Sequence, residues 1–180
     1  MKPPSKQGRP DDFQTPPHAL NPLLPYLKKN WTIWECAAGQ GNLVKALRGE
    51  GYKVISTDIL TGKDFLEWEP QKYDCIITNP PYSLKLEFLE RVYLLGKPFA
   101  FLLPITALET EERQFFFHCF GLEMILFDRR INFKTPNDVK NSNSWFATAW
   151  FTNRLQIGKQ LTFACFDGKT PDCFPCNTYP

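Results

Sequence analysis

The chain has 180 residues, of which 43% are hydrophobic and 15% aromatic, and it carries a formal net charge of +2 at pH 7. This length suits one domain with a substantial core rather than two domains. The polar, proline-rich start predicts no secretory signal, the absence of a long apolar run predicts no membrane span, and the charge is too small to indicate nucleic-acid binding by itself.

Six cysteines are scattered along the chain. Cys36 and Cys75 fall in predicted core strands and Cys119 in a predicted helix, which are ordinary positions for buried thiols in a reducing compartment. Cys173 and Cys176 form the one closely spaced pair, but the sequence offers neither a second pair nor a histidine pair to complete a zinc site. We expect no metal site and a cytoplasmic location.

The distribution of proline and charge divides the chain into three parts. Residues 1–12 are polar and proline-rich, which predicts a flexible N-terminal arm. Residues 13–166 hold the apolar segments of a folded domain. Residues 167–180 contain further prolines and predict an irregular C-terminal tail.

The predicted elements alternate along the domain. Thr15 is a favourable N-cap for a helix that begins at Pro16, although Pro22 and Pro25 should break or kink it. Apolar segments then predict strands, and amphipathic segments predict helices. Seven strands are expected at about 31–37, 53–59, 62–66, 74–79, 98–104, 124–127 and 145–151, with 161–166 as one further candidate, and the helices are expected at about 43–48, 86–95 and 109–120.

Strands that alternate with helices predict an α/β fold with a mostly parallel, doubly wound sheet of seven strands. The short 62–66 segment is expected as an edge strand of this sheet. The last two strands follow each other without a helix between them, which predicts an antiparallel hairpin at one edge.

A glycine-containing loop follows the first strand and leads into a helix. Ala37, Gly39 and Gly41 let the backbone come close to a ligand, and Glu35 precedes them. The third glycine of the dinucleotide fingerprint is missing. A carboxylate here favours a cationic group, such as an α-ammonium, over a pyrophosphate.

Two acidic positions downstream extend this predicted site. Asp58 ends the second strand about 20 residues after the loop, where an acid can bind ribose hydroxyls, and Ile59 beside it can cover one face of a purine. Asp64 can accept a hydrogen bond from an exocyclic amino group, with Phe65 as its apolar partner. Each of these residues alone is an ordinary strand end or core position, so it is their order and spacing that indicate a site.

The segment Asn79-Pro80-Pro81-Tyr82 follows a buried, β-branched strand. The prolines end the strand and stiffen the loop. They hold an amide side chain, backbone carbonyls and an aromatic ring at the carboxyl end of a strand, where open α/β sheets bind ligands.

Together these motifs, spread over residues 13–151, resemble class I S-adenosylmethionine-dependent methyltransferases, and within them the small phage or prophage type of adenine-N6 DNA methyltransferase. The resemblance implies a Rossmann-like methyltransferase sheet and S-adenosylmethionine as cofactor. It implies that these residues bind the cofactor: Thr15, Pro16, Glu35, Ala37, Gly39, Gly41, Asp58, Ile59, Asp64, Phe65 and Asn79.

The Asn79 segment can activate an amino nitrogen whose lone pair is delocalised into a ring. The Asn79 side-chain carbonyl and the Pro80 backbone carbonyl can each accept one N–H, which draws the nitrogen towards sp³ geometry. Tyr82, beside Pro81, can stack on the target ring, and the resemblance implies Phe133 as the aromatic partner on the opposite face. We therefore predict Asn79, Pro80 and Tyr82 as catalytic residues, and Pro81, Tyr82 and Phe133 as substrate-binding residues.

Nucleic acid is the expected partner, DNA before RNA. Arg129, Arg130, Lys134 and Lys140 lie in a predicted loop, 128–144, and either contact phosphates or form a solvated charged loop. Little of the chain is left for target recognition, so we expect relaxed or short-site specificity, or a dimer or partner subunit that supplies it. The sequence leaves open RNA adenine-N6 methylation, protein glutamine-N5 methylation and a catalytically silent cofactor-binding subunit.

Overall fold

The computed structural model of the protein describes residues 14–133 and 146–165. No helix in these ranges is long and apolar enough to cross a membrane. Several predicted features lie outside the described residues: the arm 1–12, the domain limits at 13 and 166, the tail 167–180, Lys134, Lys140, Cys173 and Cys176.

The described residues form a seven-stranded sheet in the order β2-β1-β3-β4-β6-β5-β7. All neighbouring strands are parallel except that β6 is antiparallel to both β4 and β5. The predicted α/β fold, mostly parallel with an antiparallel part, is therefore confirmed. The strands are β1 (Thr32–Glu35), β2 (Lys53–Ser56), β3 (Cys75–Thr78), β4 (Phe99–Pro104), β5 (Glu123–Phe127), β6 (Thr148–Asn153) and β7 (Leu161–Ala164).

Helices cover both faces of the sheet. The α-helices are α1 (Asn42–Gly49), α2 (Lys85–Leu95) and α3 (Glu111–Phe120), and the 3₁₀ helices are Pro17–Tyr26, Ile59–Thr61, Tyr82–Leu84 and Ile105–Leu108. Successive strand residues point to opposite faces. Ile33 and Ile77 pack on the side of α1, whereas Trp34 and Ile76 pack on the side of α2. Every residue of β3 and β4 is buried, as expected for strands covered on both faces.

Two details of the sheet differ from the prediction. The 62–66 segment is not a strand, because Gly62 adopts a left-handed conformation at φ 77° and the Asp64 carboxylate accepts the N–H of Leu66, which makes a turn. The last strand, β7, is parallel to β5 and does not form a hairpin with β6. It cannot pair with β6, since β4 and β5 already occupy both edges of that strand.

The first helix also differs from the prediction. It is a 3₁₀ helix that begins at Pro17, and Pro16 rather than Thr15 stands at its N-cap, without a side-chain capping bond. Pro22 and Pro25 lie inside it and lack the N–H groups that a regular α-helix would use. Thr15 is therefore left before the helix, where it lines the cleft described below.

Cys36, Cys75 and Cys119 are not joined in disulfides. Cys36 and Cys75 are buried, as predicted, but Cys119 is exposed. Helix α3 faces the sheet through the side that carries Phe117, whose ring contacts Phe151 of β6 at a centroid distance of 6.0 Å. Cys119 lies about 200° further round the helix and so points away from the sheet.

Candidate active site

A cleft of about 460 Å³ opens where β1, β2 and β3 end, at the carboxyl edge of the sheet. This volume is within the range of roughly 300–1,000 Å³ that small-molecule sites occupy. The structure brings together ten of the predicted site residues as its lining: Thr15, Glu35, Ala37, Gly39, Asp58, Ile59, Asp64, Phe65, Asn79 and Pro81.

Five predicted site residues do not line the cleft: Pro16, Gly41, Pro80, Tyr82 and Phe133. Pro16 instead caps the first 3₁₀ helix. Gly41 stands at the N-cap of α1 with φ 77°, a left-handed conformation that glycine adopts without strain, so it shapes the loop. Pro80 is buried.

Glu35 is a buried acid of the cleft, and its pKa is strongly raised. It is 1% exposed, and its Oε1 accepts hydrogen bonds from the N–H of Ala37 at 3.0 Å and from the hydroxyl of Thr78 at 2.5 Å. Burial raises the pKa of Glu35 to about 8; the two hydrogen bonds oppose this rise, and the nearby Asp58 adds to it. A cation bound beside this carboxylate would restore its charge.

The glycine loop, residues 36–41, uses most of its own N–H groups within the protein. Donors with an internal acceptor are Ala37, Ala38, Gly39 and Gly41. Loops that bind phosphate direct such groups at the ligand instead. The loop is therefore not arranged to hold a pyrophosphate, in agreement with the missing third glycine.

Asp58 ties the end of β2 to the glycine loop. Its Oδ2 accepts the N–H of Gly39 at 2.8 Å, and its Oδ1 accepts the N–H of Leu60 at 2.9 Å. These two bonds fix the carboxylate at the floor of the cleft. Glu35, Asp58 and Asp64 give the cleft three acids, and no lysine, arginine or histidine of the described residues lines it. This charge pattern favours a cationic ligand.

Large apolar side chains form one wall of the cleft. Ile59 is 63% exposed and Leu60 67% exposed, which leaves flat apolar surface for a ring to cover. Phe65 lines the cleft but is only 2% exposed, and its ring stacks on Phe88 at a centroid distance of 4.7 Å. Phe65 thus belongs as much to the core as to the site.

Asn79 and Pro81 line the cleft directly after β3. Tyr82, half-buried, begins the next 3₁₀ turn, and its ring meets the ring of Phe146 edge-on at a centroid distance of 5.7 Å. Phe146 in turn stacks on Phe133 at 6.0 Å. Phe133 is 6% exposed and packs in the core, so Phe146, which the sequence did not single out, is the ring next to Tyr82.

Several cleft residues were missed by the sequence analysis. They are Gln14, Cys36, Ala38, Gln40, Asn42, Leu43, Leu60, Leu84 and Phe88. Gln14 and Asn42 carry amide groups next to residues that were predicted, and adjacency to Thr15 and Gly41 was the available signal. Leu84, the N-cap of α2, and Phe88, in its first turn, carry no sequence signal that separates them from ordinary core residues.

No protein-family model matches this sequence, and no curated protein matches it significantly. Solved structures do match. One is a Listeria monocytogenes protein assigned as a class I S-adenosylmethionine-dependent methyltransferase, with a TM-score of 0.57, 14% identity, and coverage of 92% of this chain and 70% of that one. Another is a Vibrio vulnificus protein assigned as the modification subunit of a type I restriction enzyme, with a TM-score of 0.53 and 14% identity.

The match to the Vibrio vulnificus protein covers 83% of this chain but only 46% of that chain, so the present chain spans about half its length. At this level of identity the matches establish the fold. The chain has the Rossmann-like fold of class I S-adenosylmethionine-dependent methyltransferases, with its acidic cleft at the carboxyl edge of the sheet.

Proposed function

We propose that this protein transfers a methyl group from S-adenosylmethionine to the exocyclic N6 amino group of adenine in nucleic acid, with DNA preferred over RNA. The proposal rests on one observation: Asn79 and Pro81 line the same cleft as the buried acid Glu35 and the fixed acid Asp58. An N–H acceptor, the side-chain amide of Asn79, beside a site for a cationic ligand is what methylation of an amino group needs.

The residues of the cleft fit S-adenosylmethionine in charge and shape. Glu35 suits its α-ammonium, Asp58 its ribose hydroxyls, and Ile59 one face of its adenine ring. Asp64 and Phe65 suit the rest of the adenine, and Thr15, Ala37 and Gly39 would surround the methionine end, while Pro16 and Gly41 would act by shaping the backbone beside it. When bound, the cofactor supplies a methyl group on a positively charged sulfur.

The Asn79 loop would prepare the acceptor nitrogen. The amide oxygen of Asn79 and the backbone oxygen of Pro80 would each accept one N–H, which localises the nitrogen lone pair and aims it at the methyl group. Pro80 and Pro81 restrict the backbone, so the acceptors need little reorganisation. The proton is released after attack, when the nitrogen is cationic and strongly acidic, so no strong base is required beside it.

Tyr82 would contact the face of the target ring. Its ring contacts the ring of Phe146, whereas Phe133 packs in the core, which supports Phe146 rather than Phe133 as the second aromatic side chain of the acceptor site. A base in a duplex must leave the stack to reach this position.

Exposed basic groups near the end of β5 support a nucleic-acid partner. Arg129 is 70% exposed and pairs with Asp128 at 2.9 Å. Partial burial lowers the pKa of the nearby His18, and the charge of Arg129 lowers it further. Cations at the carboxyl edge can contact phosphates. The Vibrio vulnificus neighbour is by description one subunit of a larger enzyme, which supports the proposal that a dimer or a partner subunit supplies target recognition here.

The test is transfer of labelled methyl from S-adenosylmethionine to unmethylated DNA, to RNA and to a protein extract. The proposal predicts label in DNA, less in RNA, and its loss with Asn79→Ala. Asn30→Ala is the matched control, since Asn30 is exposed before β1 at the opposite edge of the sheet. Label in protein alone would favour glutamine methylation, and cofactor binding without any transfer would favour a silent subunit.

A further inference from the structure

The acids of the cleft should repel a ligand that carries a carboxylate as well as cationic groups. S-adenosylmethionine, on which this inference depends through the proposed function, has an α-carboxylate at its methionine end. The cleft offers three acids and, among the described residues, no cationic side chain to receive that group. Four N–H groups of the glycine loop already have acceptors.

Two carboxamides line the cleft beside the glycine loop. Asn42, the first residue of α1, donates from Nδ2 to Oε1 of Gln14 at 3.4 Å. The Nε2 atom of Gln14 lies 3.6 Å from the position that a Cβ on Gly39 would occupy, so this amide packs closely over the glycine loop. Both side chains are partly buried and both line the cleft.

We propose that Gln14 and Asn42 form the subsite for the ligand's α-carboxylate, which they bind through their side-chain N–H groups. The hydrogen bond that joins them is long, and a neutral bond of 3.4 Å is weak. A carboxylate would replace it with shorter, charge-assisted bonds that are roughly twice as strong. The pair thus changes partners when the ligand enters, and no charged residue is needed.

The use of neutral donors would also let the cleft discriminate against ligands that carry phosphates. A lysine or arginine at this position would offset the acids and would attract phosphates. Carboxamides accept one carboxylate and leave the field of Glu35, Asp58 and Asp64 intact. The site then favours a ligand with two cationic groups and one carboxylate over nucleotides that carry phosphates.

The experiment compares S-adenosylmethionine with its decarboxylated analogue, which keeps the ammonium and the sulfonium. Dissociation constants are measured by calorimetry for the wild type, Gln14→Glu, Asn42→Asp and the exposed control Gln71→Glu, which lies at the opposite end of the sheet. We expect Gln14→Glu and Asn42→Asp each to weaken S-adenosylmethionine by at least about tenfold, because a hydrogen bond to a charged group is lost and a repulsion is gained. Gln71→Glu should leave both ligands unchanged.

Binding of the decarboxylated analogue separates loss of the carboxylate subsite from a general loss of ligand binding. It should bind Gln14→Glu and Asn42→Asp as tightly as it binds the wild type, or more tightly, and this binding also shows that the variants are folded. Equal weakening of both ligands, or no weakening of S-adenosylmethionine, would overturn the assignment of the subsite while the proposed function stands. A wild type that binds neither ligand would overturn the proposed function and this inference with it.

Discussion

Replacing Glu35 by glutamine should stabilise the ligand-free protein at neutral pH. The pKa of Glu35 rises from an ordinary value of 4.5 to about 8 because the side chain is buried. Between these two values the folded chain holds a proton that the unfolded chain has released, so the free energy of unfolding falls as pH rises. The full stability is present below pH 4.5 and is lost progressively up to pH 8.

The change in the free energy of unfolding follows from the difference between the two pKa values of Glu35. Each pH unit between the two pKa values costs about 1.4 kcal/mol, so at pH 7 the wild type has lost on the order of 3 kcal/mol that the variant keeps. Glutamine retains an oxygen for the N–H of Ala37 and the hydroxyl of Thr78, so the local hydrogen bonds survive.

The assay is urea unfolding of the wild type and Glu35→Gln at several pH values between 5 and 9. The difference in the free energy of unfolding between the two should grow with pH up to about 8, in favour of the variant. Parallel pH profiles for the two proteins would refute the reasoning, because they would show that the Glu35 carboxyl titrates as if it were in water. Glu67→Gln, at an exposed site, is the matched control and reports any general effect of a removed carboxylate.

Three further predictions concern binding, the acceptor site and the core. The affinity for S-adenosylmethionine should rise about tenfold per pH unit up to the Glu35 pKa of about 8 and then become constant, because the ligand's ammonium needs the ionised carboxylate. Calorimetry should show this rise for the wild type and no such rise for Glu35→Gln. Tyr82→Ala should lower kcat/KM for methyl transfer by about tenfold or more at unchanged cofactor affinity, while Tyr82→Phe should retain most of it; equal losses would contradict a stacking role. Phe133→Ala should cost about 3–5 kcal/mol in urea unfolding, since Phe133 is 6% exposed and lies in the core, and a loss below about 1 kcal/mol would contradict that position.

The parts of the fold predicted correctly have strong local patterns. Strand β3 combines a run of buried β-branched residues with prolines that end it, so both its position and its loop follow from the sequence. The acids Glu35 and Asp58 stand at strand ends, and parallel strands bring those ends to one edge, so their meeting in one cleft was predictable as well.

The predictions of secondary structure and strand pairing were wrong where tertiary contacts, rather than local sequence, determine the structure. Phe65 and Leu66 suggested a strand, but the turn set by Gly62 and Asp64 governs the backbone there. The partner of β7 depends on which strand edges are vacant, and no local pattern records that both edges of β6 are occupied. Likewise, the contact between Phe146 and Tyr82 is a matter of packing that no local pattern records, and the role of Phe133 at the target ring stays a prediction.

The central claim is that the Asn79 loop directs a methyl group to an amino nitrogen. The most direct measurement is mass spectrometry of the nucleosides from DNA incubated with the protein and S-adenosylmethionine, with Asn79→Ala and Asn30→Ala in parallel. We expect N6-methyladenine with the wild type and with Asn30→Ala, and a loss of at least about a hundredfold with Asn79→Ala, as for the removal of other preorganised hydrogen-bond partners. Methylation at another atom, or N6-methyladenine formed equally by Asn79→Ala, would contradict it.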